Sequence, residues 1–172
     1  MKQPIDLAML LSQKAGEHLV DAYHFSQNKD ATSSLKEAEA CIQAIILFQT
    51  SMEAIINEEV LNHPLLKEVK TEQEELHRHF KSLSFKNKWI RAYETLQLHE
   101  TEYLNDYLTF YTEFRTPITH PKSRYISVQK YRFKAVCDGL ENGWYTFQLL
   151  FAILGKQLTS WDEFCEQIGL QT

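Results

Sequence analysis

Apolar residues return along this chain every three or four positions, the spacing of one helix face. Leu7, Leu11, Ala15, Leu19 and Ala22 set that rhythm, and Pro4 stands where a first helical turn tolerates proline. Together they predict a helix over about 5–25, followed by a polar loop at 26–30. Thr32, Ser33 and Ser34 offer caps for a second helix to about residue 59, with Glu37 three after Ser34 as a capping box. Its middle, 41–48, is apolar almost all round, which predicts a central, buried helix. Beyond it Met52, Ile55 and Ile56 narrow to one stripe beside Glu53 and Asn57.

The second half of the chain keeps the helical period. Leu61-Asn62-His63-Pro64 starts a strongly charged third helix to about 83, and Ser84 caps a shorter one carrying Trp89, Tyr93 and Leu96. From Glu100, the residues Tyr103, Tyr107, Phe110, Tyr111 and Phe114 fall on one face; core or a subunit interface is the first reading of that stripe, base stacking the second. After a proline-containing segment at 117–121, Ser127 caps a long helix to about 154, which Gly155 ends. Gly139 and Gly143, one turn apart, predict close approach of a neighbouring backbone. Ser160 and Glu163 form a capping box that opens a last short helix to about 168. No repeat, low-complexity tract or linker interrupts this pattern. The expectation is one all-α domain over 1–172, an antiparallel up-and-down bundle of five or six main helices.

Composition agrees. In 172 residues there are only five glycines and four prolines, too few for the turns of a sandwich or barrel, and 44% of positions are hydrophobic. The N-terminus leads into an amphipathic stretch, not a signal-peptide core. The most apolar run, 144–154, falls short of the ~20 residues of a spanning helix. Cys41, Cys137 and Cys165 lack paired spacing and read as buried thiols. We therefore expect a cytoplasmic protein with no membrane segment.

Charge adds a local feature. The net charge is −5, yet 113–134 holds six Lys/Arg (Arg115, Lys122, Arg124, Lys130, Arg132, Lys134) against Glu113 alone. A basic segment in an acidic chain focuses a field on an anionic ligand. Metal chemistry finds little footing. Glu74-Glu75-Leu76-His77 supplies one Glu-x-x-His where a di-iron bundle needs two, and His77 and His79 point apart on a helix. No glycine-rich phosphate loop is present, so neither metal nor cofactor is expected. Glu53 and Asn57 read first as hydrogen-bonded structural groups and second as supports for catalytic ones.

Arg115 and His120 remain. On a continuous helix, five residues turn them roughly 140° apart. Pro117 disfavours helical geometry at Thr116 and removes a ladder donor, and Pro121 keeps the segment irregular. The expectation is a broken helix that lets both side chains point at one anion. Arginine offers a rigid fork of donors to a phosphate, and histidine exchanges a proton near neutral pH. Together they suit RNA cleavage without metal, with Lys122 and Arg124 holding the backbone. The plainer alternative is an arginine capping carbonyls and a histidine filling a helix junction.

Arg115-Thr116-Pro117-Ile118-Thr119-His120-Pro121-Lys122 resembles the arginine, four-to-six residues, histidine motif of the HEPN (higher eukaryotes and prokaryotes nucleotide-binding) family. The resemblance extends over about 35–155. It includes Ser51-Met52-Glu53-Ala54-Ile55-Ile56-Asn57 near the end of a long second helix, Lys86-Asn87-Lys88-Trp89 opening a later one, and the motif's place before a long final helix. It implies an up-and-down bundle, often a homodimer with two motifs in one cleft. Many members are metal-independent ribonucleases of toxin–antitoxin or defence systems; others are inactive and bind RNA or protein partners. Carried over by position, Arg115 and His120 are the catalytic pair, with Thr116, Lys122 and Arg124 at the substrate. Thr116 stands where Asn, Asp or His is common, and Lys122 where a subset has tyrosine. Two functions thus stand side by side. One is a homodimeric ribonuclease acting on RNA, with an antitoxin or another protein as its partner; the other is an inactive bundle that binds RNA or a protein, or serves as a scaffold.

Overall fold

The computed structural model describes residues 6–60, 82–99, 102–121 and 125–170. Helix α1 (Leu7–Ser26) begins at Asp6, whose carboxylate accepts the Met9 N–H at 3.0 Å. Helix α2 (Ala31–Ile55) begins at Asp30, which accepts the Ser33 N–H at 2.9 Å and the Ser33 hydroxyl at 2.6 Å. Those bonds hold the Asp30 carboxyl below its usual range. The short connection at 27–30 forces α1 and α2 antiparallel. At their far ends Ser51 donates to the Ala8 carbonyl at 2.8 Å, and the Ser12 and Ser51 hydroxyls bond at 2.7 Å.

Helix α3 (Phe85–Thr95) is capped by Ser84. Helix α4 (Glu102–Phe110) continues through a wide turn (Tyr111–Arg115) into a last α turn (Thr116–Thr119). Helix α5 (Phe133–Ile153) is the long central element, and α6 (Trp161–Ile168) opens on the expected Ser160/Glu163 capping box and closes at Gly169 with φ 80°. α5 runs in the direction of α2: Glu37 meets its start, and Phe48 packs on Trp144 and Phe147 at 6.4 and 5.7 Å between ring centres. α4 runs the opposite way, with Tyr103 against Tyr145 and Phe110 over Gly139. Directions therefore alternate through α1, α2, α4 and α5. The protein is an all-α up-and-down bundle, without strands among the described residues.

Burial is what holds these helices, because each shows one apolar face that must be covered. Phe48, Trp89, Tyr107, Trp144 and Phe147 fill the centre. Cys41, Cys137 and Cys165 are buried free thiols, as expected, and burial pushes them up to about 12, 12 and 11.

Several local expectations are corrected. Asp30, not Ser34, caps α2, so the Ser34/Glu37 box does not form. Glu37, at 1% exposure, accepts the Phe133 N–H at 2.7 Å, and its other oxygen lies 3.0 Å from Arg132 Nη2. It thereby caps α5 from another helix, meeting an orphan N–H that Ser127 does not reach. Ser127 instead precedes a short 3-10 turn, Val128–Lys130. Gly139 and Gly143 admit aromatic rings, not a backbone: Phe110 presses on the first, Phe48 and Tyr107 on the second. The stretch Ala31–Glu58 is long and apolar enough to cross a membrane by length and composition alone, and 56% of its apolar 18-residue window is buried in the bundle, as in the core helix of a soluble protein. The expected third helix, Pro4, Glu74, His77 and His79 lie outside the described residues.

Candidate functional site

Pro117 has no N–H, and its ring collides with the carbonyl four residues earlier when a helix continues through it. The chain does not break there. The helix widens by one residue, so that the Thr116 N–H bonds the Tyr111 carbonyl five positions back. The Thr116 hydroxyl bonds the same oxygen at 3.4 Å. Thr116 keeps φ −57° and ψ −43°, squarely helical, and the chain leaves the helix only at His120, with φ −128° and ψ 64°. The expected break at Thr116 is thus displaced to His120, because a wider turn moves the carbonyl away from the ring. Such turns occur often at functional sites.

This extension carries Arg115 and Thr119 on one face. The guanidinium donates through Nη1 to the Thr119 hydroxyl and lies over the Tyr111 ring, 5.8 Å from its centre. Its Nε is buried and has no hydrogen-bond partner among the described residues. His120 follows directly and is exposed. The guanidinium is therefore held by Tyr111 and Thr119, and the exposed His120 ends the same helix extension.

Behind Arg115 lies a layer of aromatic and polar side chains. Tyr111 stacks on Phe85 of α3 at 4.6 Å and 27°. Burial pushes its phenol up; Arg115 opposes that shift and Glu53 adds to it. Tyr107 donates to Gln49 Oε1 at 2.7 Å, and burial raises it well above its usual range. Lys88 of α3 donates to Glu53 at 2.9 Å. Gln49 Nε2 and Asn57 Oδ1 are buried without partners among the described residues. Asn57 belongs to a second wide turn, Ile56–Val60, which prolongs α2.

The structure thus brings together Arg115, Thr116 and, through Tyr111, Glu53. Thr116 spends its hydroxyl on the backbone instead of facing solvent. Lys122 and Arg124 lie outside the described residues. Other members of the basic segment are engaged: Arg132 with Glu37, Lys134 with Asp138 at 3.2 Å, and Lys130 over the Phe114 ring at 5.2 Å. Tyr131 donates to the Phe114 carbonyl at 3.1 Å, returning the chain to the wide turn it left at His120. Lys88 and Tyr111 were missed as site residues. Lys88 carried a signal, since it interrupts the apolar face marked by Phe85, Trp89 and Ala92. A separate groove of about 300 Å³, lined by Met9, Gln13, Glu17, Trp144, Thr159 and Gln167, contains no motif residue. Among the described residues no group of three or more His, Cys, Asp or Glu is placed to hold a metal ion.

No protein family, curated protein or solved structure significantly matches this chain.

Proposed function

We propose that the chain is a HEPN-like, metal-independent ribonuclease that works as a homodimer. The observation that supports this reading is the Arg115 guanidinium, held by Tyr111 and Thr119 on the helix extension that ends at the exposed His120. His120 of one copy takes the proton of an RNA 2′-hydroxyl as that oxygen attacks the adjacent phosphorus. Arg115 donates to the phosphoryl oxygens as charge builds on the five-coordinate centre, where a preplaced donor acts most strongly. His120 of the second copy returns a proton to the departing 5′-oxygen. The products are a 2′,3′-cyclic phosphate and a 5′-hydroxyl. Lys122 and Arg124 hold flanking phosphates.

In buffer containing a chelator, the protein cleaves RNA. Arg115→Ala and His120→Ala each lower the rate by about 10²–10⁴, while melting temperatures stay within a few degrees of wild type. Cleavage unchanged from wild type in both variants removes these residues from the mechanism. Toxicity on expression, relieved by His120→Ala, points to the toxin branch.

A second reading, an inactive bundle that binds RNA or a protein, is favoured by one observation. Thr116 turns its hydroxyl inward and Thr119 occupies an arginine donor. Under that reading RNA is bound at low salt without being cut, or is not bound at all.

A further inference from the structure

Among the described residues Lys88 is the one buried lysine, and its pairing is inverted from the usual. Its side chain is 5% exposed, whereas the carboxylate it meets, Glu53, is 42% exposed. An ammonium inside the protein is costly unless it is paired, and here a single hydrogen bond of 2.9 Å pins it to the last turns of α2. That bond fixes the first turns of α3 against α2. One turn earlier on the same helix face, Phe85 stacks on Tyr111, and Tyr111 carries the Arg115 guanidinium over its ring. A continuous set of contacts therefore runs from Lys88 through α3 to Arg115. Phe85 also meets Tyr107 edge-on at 6.2 Å, so a shift of α3 disturbs both tyrosines at once. The Glu53 charge also acts on Tyr111 directly.

We infer that Lys88, paired with Glu53, is a positioning residue for Arg115: it sets where α3 places Phe85, and so where Tyr111 holds the guanidinium. The inference rests on the ribonuclease reading only for its kinetic consequence. A misplacement of about 1 Å in a positioned group costs up to about 10²-fold in rate.

The decisive variant is Lys88→Met, which keeps the stem's bulk and removes the charge. Glu53 is exposed enough for water to solvate it once its partner is gone, so the bundle folds. Lys88→Arg restores the pairing charge, and the swap Lys88→Glu/Glu53→Lys re-forms the bridge if Lys88→Met proves unstable. In the wild-type protein and these variants, two things are read: RNA cleavage in chelator, and the Arg115 Nε–Hε cross-peak in an amide-type NMR spectrum, which senses the Tyr111 ring. In Lys88→Met, kcat falls about 10- to 100-fold with KM within twofold, and the cross-peak moves or broadens. Both return in Lys88→Arg or in the swap. A cross-peak unmoved in Lys88→Met overturns the inference whether or not the protein cuts RNA. So does a kcat that stays within twofold of an active wild type. If the wild type cuts no RNA, the ribonuclease reading fails and the cross-peak alone decides the positioning role.

Discussion

Alanine at Gly143 sets two opposed effects against each other at the centre of the bundle. Replacing glycine by alanine inside a helix stabilises it by about 1 kcal/mol. Against this, a Cβ built at Gly143 falls 2.7 Å from Phe48 Cε1 and from Tyr107 Cε2, and 2.8 Å from Tyr107 Cδ2. That is about 1 Å inside ordinary carbon contact. Neither ring has room to withdraw: each is 1% exposed, and the Tyr107 hydroxyl is bound to Gln49. Overpacking a close-packed interior costs about 1–3 kcal/mol, and two confined rings put this position at the upper end. The net effect is a loss of about 1–2 kcal/mol. At about 2–4 °C per kcal/mol for a chain of this size, the midpoint falls by about 2–8 °C. Scanning calorimetry measures it, with urea unfolding followed by circular dichroism as a check. In a Tyr107→Leu background the loss shrinks, because one ring is gone. A Gly143→Ala protein as stable as wild type, or more so, refutes the packing of α4 and α2 on α5 described above.

Other consequences follow from the buried charges and thiols. Glu37→Ala strips a cap from Phe133 and a partner from Arg132, which is about one-third exposed; the loss is about 2–4 kcal/mol in urea unfolding, and Glu37→Gln loses less because it still accepts the N–H. Thiol-specific reagents at pH 8 leave Cys41, Cys137 and Cys165 unmodified in the native protein and label all three once it is unfolded. With folded thiols raised from 9.0 to about 12, 12 and 11, the unfolded chain binds fewer protons than the native one above pH 9. Their contribution to stability is therefore full below about pH 9 and declines as pH rises towards 12; midpoints that rise over that range in thermal melts contradict it.

The helical skeleton is legible in the sequence because burial imposes its period on each helix separately. Caps are legible where one candidate stands alone, as at Ser84 and Ser160. They are ambiguous where several crowd together: Asp30, Thr32, Ser33 and Ser34 all offer a first turn, and Asp30 takes it. Glu37 is misread for a different reason. Its partners, at Arg132 and Phe133, lie 96 positions from it in the case of Phe133, and no local spacing announces them. At the candidate site, Arg115 and His120 are singled out by residue chemistry and the motif. The conformation between them follows from neither, because the proline rule assumes an α ladder and the turn at 111–115 is wider. Lys88 stands out in sequence as a charge on an apolar face, but its partner 35 residues earlier appears only once α2 and α3 are packed.

Chemically, the proposed reaction is attack by the substrate's own 2′-oxygen, with Arg115 and His120 as the groups at the reacting phosphate. A labelled RNA oligonucleotide and its fully 2′-deoxy counterpart, each incubated with the protein in chelator, test this most directly. The account predicts that both bind, that only the RNA is cut, and that every new 3′ end carries a cyclic phosphate. Scission of the deoxy strand, or new ends bearing a free 3′-hydroxyl, contradicts it.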